Sequence, residues 1–336
     1  MGRYRNRDGA VVRCSPEVVA APDAEEVRLG GSALVTSSLG VGAWSWGDET
    51  LWGYRARHGP KDVAEAFLAS VKAGVTLVDT AEVYGHGESE RIVGWLARHA
   101  PRPVQVASKF ALLPGRAGAR ALRPALQASL ARLRLPRVDL YQLHWPDRSM
   151  ATAGALADAL AEVYKAGLVG AVGVSNHTAS ELREAHEALA RRGVPLATQQ
   201  VQYSLLHREP ERDGVLHACR ELGVTLLAYG PLCQGLLTGA YGPEHPPADF
   251  RAKDPRFTPE ALAQTRGLVG LLREFGEAHG GRSPAQVALN WLLCQPGVVP
   301  LAGARTAVQA RETAGALGWR LTPEAVERLD RWDGSR

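Results

Sequence analysis

The 336-residue chain has only four cysteines, Cys14, Cys219, Cys233 and Cys294, widely separated and with no C-x-x-C pair. Neither a zinc site nor a disulfide framework is therefore indicated, and a reducing compartment fits. No uninterrupted apolar run reaches membrane-spanning length and no basic segment precedes an apolar signal core, so we expect a soluble, cytoplasmic protein without a membrane partner; a chloroplast or other organelle is the other address considered. The net charge of +4 comes from scattered arginines. With no dense Lys/Arg stripe interleaved with aromatics, nucleic acid is not an expected partner. Arg3, Arg5, Arg7 and Arg13 make one end basic, which reads as a solvated end or the remnant of a targeting tail. A Walker P-loop is absent, and Gly40-x-Gly42 lacks the third glycine and immediate helix of a Rossmann fingerprint, so any nucleotide must be held in another way. No strand-like run ends in His-x-His; this argues against a metal-dependent hydrolase, and no metal is expected.

What is present is ordinary globular composition, 45% hydrophobic and 22% charged, enough for one large domain with a full core. Residues 1–26 carry no clear period and are expected to be an irregular lead-in, with a single domain over 27–336. Val27-Arg-Leu-Gly-Gly-Ser-Ala-Leu-Val35 places two apolar patches around a turn, the mark of a hairpin that could plug one end of a barrel. From Ser38 onward, strand-like and helix-like segments alternate. The strands are expected at 39–44, 76–79, 104–110, 138–145, 168–175, 196–203, 224–229 and 298–302. Helices are expected between them, including one over 211–222. Such an alternation fits an α/β fold, the (β/α)8 TIM barrel with an N-terminal β-hairpin plug, better than an open doubly wound sheet. A Pro/Gly-rich stretch from Pro231 to Pro259 breaks the rhythm and reads as a functional loop.

Three consecutive apolar runs end on an ionisable residue: Asp79, with Tyr84 in the loop beyond, then Lys109, then His144. Parallel barrels bring strand ends to one rim, so Asp79, Tyr84, Lys109 and His144 are read as one catalytic cluster. Singly, each has an ordinary role as a cap, a packing aromatic, a rim charge or a core histidine. Their joint order is what points to chemistry. A phenol near its reference pKa of about 10 is a poor proton donor at neutral pH, and a nearby ammonium should make it more acidic. Lys109 can supply that charge, Asp79 can hold Lys109, and His144 can orient a carbonyl oxygen beside Tyr84. The set contains no nucleophile, so hydride must come from a cofactor.

On these residues the chain resembles the aldo-keto reductases, a (β/α)8 family of NADPH-dependent carbonyl reductases. Asp79-Thr-Ala-Glu-Val-Tyr-Gly-His-Gly-Glu-Ser-Glu90 resembles the family signature, and Ser108-Lys109, Gln142-Leu-His144 and Val172-Gly-Val-Ser-Asn176 resemble further blocks in the same order. The resemblance runs from about Val27 to Leu329. It implies Tyr84 as general acid, with Lys109, Asp79 and His144 completing a tetrad. It also implies NADPH/NADP+ as cofactor. Ser175, Asn176 and Gln200 would hydrogen-bond the nicotinamide carboxamide, Tyr229 would stack on the ring, Gly42, Ala43 and Trp44 would contact the cofactor from the first strand, and Asp79 would also be cofactor-binding. Gly230, Pro231, Leu232, Gln234 and Gly235 would pass over the pyrophosphate, with Gly230 where the family commonly has serine. Around the adenosine, Gly303, Arg305, Gln309 and Glu312 are implied, Arg305 facing the 2′-phosphate as a charged fork; Thr313 stands where asparagine is usual.

Trp44, Trp46 and Trp52, with Tyr84, Phe110, His144 and Trp145, are expected to line the substrate mouth. The loop from Trp44 to Tyr54, Leu168–Val174 and Ala316-Leu-Gly-Trp319 are most similar to the plant and cyanobacterial branch with pyridoxal reductase-like members. Such a mouth suits a small, flat carbonyl compound. The leading expectation is an NADPH-dependent aldehyde or ketone reductase, and the runner-up is a nucleotide-sensing regulatory subunit resembling the potassium-channel β proteins. No feature of the sequence specifies an oligomeric state.

Overall fold

The computed structural model describes residues 25–113, 115–116, 118–146 and 153–332, with the backbone of two further strands at 2–5 and 11–14. Those two strands, β1 (Gly2–Arg5) and β2 (Val11–Cys14), pair antiparallel. The expected irregular lead-in thus contains a strand pair, which its short alternating segments were too brief to signal. The hairpin strands β3 (Glu26–Arg28) and β4 (Val35–Ser37) follow, also antiparallel.

Eight parallel strands then close a barrel: β5 (Gly40–Gly42), β6 (Leu77–Asp79), β7 (Gln105–Phe110), β8 (Val138–Leu143), β9 (Val169–Ser175), β10 (Leu196–Gln202), β11 (Thr225–Tyr229) and β12 (Val298–Gly303), with β12 pairing back onto β5. Between them run α1 (Pro60–Lys72), α2 (Glu88–Arg98), α3 (Leu122–Leu133), α4 (Ala153–Lys165), α5 (Ala179–Ala190), α6 (Glu209–Arg212), α7 (Val215–Leu222), α8 (Pro259–Ala278) and α9 (Pro284–Leu293), and α10 (Ala307–Ala314) and α11 (Pro323–Asp330) close the chain. The helix expected over 211–222 is two pieces, α6 and α7. The break falls at Gly214, whose φ of 81° lies in the left-handed region that a continuing helix cannot use. At α9 the Ser283 hydroxyl accepts from the Gln286 N–H, the Gln286 side chain accepts in return from the Ser283 N–H, and Pro284 follows the cap.

The barrel interior is layered by polarity. At the floor, Leu77, Leu140, Leu227 and Val299 interleave with Ala107, Ala171 and Ala197, and Leu29 from the hairpin plugs the end, fully buried. The hairpin turn reaches in this far because Gly30 sits against Ala197, where an added Cβ would meet the carbonyl oxygen at 2.5 Å; its N–H donates to Thr225 Oγ1 at 2.8 Å. Above this, Thr198 donates to Gln142 Oε1 at 3.1 Å. At the carboxyl rim the inward groups are Asp79, Lys109, His144, Ser175 and Gln200, all buried. An apolar floor thus carries a charged ceiling, the arrangement by which barrels of this kind build sites at the strand ends.

Candidate active site

The backbone register sets the first distances. Gly42 pairs with Asp79 and with Gly303, so β12, β5 and β6 end at one level, while β7, paired with Asp79 at Ala107, runs on to Phe110 and carries Lys109 beyond it. Lys109 projects from β7 into the rim with no solvent exposure. Its Nζ donates to Asp79 Oδ2 at 2.5 Å, to the Thr80 carbonyl at 2.8 Å and to the Tyr84 phenol oxygen at 3.4 Å. Asp79 is completed by Gln200, whose Nε2 donates to Oδ1 at 2.9 Å. Burial opposes the lysine's charge, yet Asp79 and Tyr84 hold its pKa above the ordinary value.

Tyr84 opens a tight loop whose next residue must be glycine. Gly85 has a φ of 54°, and a Cβ there would stand 2.4 Å from the Gly47 carbonyl oxygen, so the tyrosine loop packs backbone to backbone on the tryptophan loop. The phenol's pKa is raised: burial pushes it up by more than the Lys109 charge pulls it down. Lys109 lowers the phenol's pKa as expected, but burial outweighs it, and that desolvation depends on neighbours that the sequence does not reveal. His144 stands edge to face with Tyr84, ring centroids 5.7 Å apart, and its pKa is pushed down to about 2 by burial and then by the charge on Lys109. Its imidazole is therefore neutral and can donate one N–H.

The expected nicotinamide-facing groups also converge. Ser175 Oγ donates to the Gln200 carbonyl at 2.8 Å, and Asn176 Nδ2 donates to the His144 carbonyl at 3.0 Å and to Ser175 Oγ at 3.1 Å. Tyr229 donates from its hydroxyl to Asn176 Oδ1 at 3.1 Å. Ala43 is buried and donates its N–H to the Asp79 carbonyl. Gly230 lies beside Gln202, and Cys233, Gln234 and Gly235 form a run of positive-φ residues after Pro231 and Leu232. Gln234 Oε1 is buried with no hydrogen-bond partner among the described residues. At the far end the Arg305 N–H donates to Gln309 Oε1 at 2.8 Å, while Glu312 gives its carbonyl to Gln286. Thr313 donates into its own helix, to the Ala310 carbonyl.

The fit to a dinucleotide can be tested on these atoms. Arg305 has no carboxylate partner among the described residues, and burial together with Arg251 pushes its pKa down, which marks a guanidinium that would gain from an anion. Gly42 and Gly303 face each other with room for a Cβ, the nearest atoms lying 3.9 Å away, so the rim is open where a flat group must approach. The residues therefore fit a phosphate-bearing dinucleotide.

The mouth differs from expectation. Trp44 is 39% exposed and Trp145 47% exposed, the latter stacked on His144 with centroids 3.7 Å apart. Trp44 also lies 6.4 Å from Tyr84 and edge to face with Trp52. Trp46 and Phe110 do not line the opening: Trp46 is fully buried against Phe67, its Nε1 donating to the Ala304 carbonyl, and Phe110 is buried beneath Arg116. Residues not anticipated pack around Trp52. Phe250 packs edge to face on Trp52, and Arg251 lies between the Trp52 and Tyr241 rings. Asp249 bridges Arg251 and Arg57, joining the loop after β11 to the loop after β5. The sequence signal for them, an Asp-Phe-Arg triplet in a Pro/Gly-rich stretch, has no period to read.

A model of the Aldo/keto reductase family matches residues 38–333. The chain belongs to that family. Pyridoxal reductase, chloroplastic, of Arabidopsis thaliana is 36% identical over 318 residues, covering 91% of this chain and 85% of that protein. Aldo-keto reductase YhdN of Bacillus subtilis is 34% identical over 311 residues, covering 89% and 91%. Among solved structures, the glycerol dehydrogenase AKR11B4 from Gluconobacter oxydans superimposes with a TM-score of 0.79 at 30% identity, covering 91% of this chain and 94% of that one. This aldo/keto reductase is thus an oxidoreductase built on the (β/α)8 barrel with a hairpin plug. Among the described residues no helix is long and apolar enough to cross a membrane.

Proposed function

We propose that this chain is an NADPH-dependent reductase of small aldehydes or ketones, pyridoxal-like compounds among them, and that Tyr84 is its general acid. The observation that carries this reading is the Tyr84 hydroxyl 3.4 Å from the buried Lys109 ammonium, with a neutral imidazole beside it and an aromatic opening above. NADPH, when bound, supplies hydride to the carbonyl carbon. As negative charge develops on the carbonyl oxygen, Tyr84 hands it a proton and the phenolate left behind is stabilised by Lys109. Lys109 stays charged because Asp79 pairs with it, and His144, donating from a neutral ring, orients the oxygen. Ser175, Asn176 and Gln200 would hold the carboxamide, Tyr229 would support the ring, and Arg305 would pair with the 2′-phosphate. Trp44, Trp52 and Trp145 supply flat apolar walls suited to a planar substrate. A single reductase domain over 27–336 is part of this reading, as is a cytoplasmic location, where the free thiols Cys219, Cys233 and Cys294 stay reduced.

The test is NADPH oxidation with pyridoxal and nitrobenzaldehyde. Tyr84→Phe removes the proton donor while keeping the ring, and kcat should fall by roughly 10²–10⁴-fold, the usual contribution of a positioned acid. Turnover equal to wild type in that variant would overturn the assignment.

A further inference from the structure

Between Asp79 and Tyr84 stands a carboxylate that the proposed chemistry does not use. Glu82 is buried, its side chain 3% exposed. Its Oε1 accepts from the Ala111 N–H at 2.7 Å and from Arg116 Nη1 at 2.6 Å, and its Oε2 accepts from Arg116 Nη2 at 2.9 Å. Arg116 in turn donates to the Ala111 carbonyl at 2.9 Å and lies over the Phe110 ring. A two-pronged, charge-assisted pair of this kind fixes geometry as well as adding energy.

The pair joins the pieces that must stay in register. Glu82 is two residues before Tyr84 in a segment already held at its start, where Lys109 binds Asp79 and the Thr80 carbonyl. Ala111 is two residues after Lys109, and the intervening Phe110 carbonyl accepts the His144 N–H at 2.8 Å. The backbone from Lys109 to Ala111 therefore touches the lysine, the histidine's strand and, through Glu82, the tyrosine's loop. Truncating Glu82 would remove the hold at the middle of that loop, leaving Gly85 packed on Gly47.

We propose that Glu82, clamped by Arg116 and the Ala111 N–H, is a positioning residue that sets the distance of the Tyr84 hydroxyl from Lys109 and His144. It acts through backbone placement. Its carboxylate is paired with Arg116. The inference rests on the proposed role of Tyr84.

Glu82→Ala, Glu82→Gln and wild type are compared in steady-state reduction by NADPH and by crystallography. Misplacement of a reacting group by about 1 Å can cost about 10²-fold, so Glu82→Ala should lose kcat on that order while its NADPH dissociation constant stays within about twofold. The pH profile should keep its shape. Glu82→Gln, whose amide oxygen still accepts from Ala111, should recover at least about tenfold of the loss. In the Glu82→Ala crystal structure the Tyr84 oxygen should move away from Lys109. An unchanged kcat, a loss matched only by a lower folded fraction, a Gln variant as impaired as the Ala variant, or an unmoved phenol would each overturn the proposal. If wild type reduces no carbonyl panel member, the functional reading fails on its own, and the position of the phenol in the two structures still decides whether Glu82 holds it.

Discussion

At the scale of single residues, charge and burial divide the work. His144 has been stripped of its ordinary titration, its pKa of about 2 lying far below the usual imidazole range because the ring is buried and then repelled by Lys109. Tyr84 is pushed the other way, above 10.0. A general acid must be protonated, so a raised phenol pKa lengthens the working range toward alkali. We expect kcat/KM for reduction to be flat from about pH 5 to about pH 8, falling only where the phenol ionises, with alcohol oxidation rising through the same alkaline range. A pH-rate profile of the wild type measures this, and an inflection between 6 and 7 would show that the imidazole titrates after all. These two signs were not legible in the sequence. Asp79, Lys109 and His144 were visible as charged ends of apolar runs, but whether a lysine outweighs desolvation depends on which atoms surround the phenol.

At the scale of elements, the strands and most helices were legible because each is buried on a repeating face. Strands covered on both sides read as unbroken apolar runs, and the helices between them carry apolar residues at helical spacing. The hairpin of β3 and β4 was visible from its glycine turn, and its packing explains its purpose: Leu29 fills the floor between Leu77, Leu140 and Leu227. Leu29→Ala should cost about 2–5 kcal/mol, the range for emptying a buried leucine site, measured as a lowered urea midpoint with the slope unchanged. Retention of full stability would mean the barrel end is closed without the plug. The break between α6 and α7 was missed because Gly214 allows but does not require a left-handed turn. Trp44 and Trp46 could not be told apart for a related reason. They sit two apart on irregular backbone, where alternation no longer assigns inside and outside, and only one faces the opening.

At the scale of the whole molecule, the dinucleotide reading spans the barrel, from Asn176 and Tyr229 over β9 and β11 to Arg305 after β12, under a cover in which Asp249 ties two distant loops. A ligand touching so many elements stabilises only the folded chain, and at a hundred times its dissociation constant it adds about 2.7 kcal/mol. NADP+ should therefore raise the thermal midpoint in a concentration-dependent way, NAD+ less so, and Arg305→Ala should narrow the gap between them; equal shifts from both dinucleotides would remove Arg305 as the phosphate partner. The amino-acid sequence by itself determined the alternation of strand and helix and the order in which ionisable residues reach one rim, because both follow from local periodicity and from where apolar runs stop. Only the tertiary structure decided that burial raises the phenol's pKa, that Phe250 packs on Trp52 while Trp46 and Phe110 are buried, and that Glu82 grips Ala111 and Arg116. Desolvation, Coulomb fields and hydrogen bonds depend on neighbours brought together from distant parts of the chain, and no local pattern encodes them.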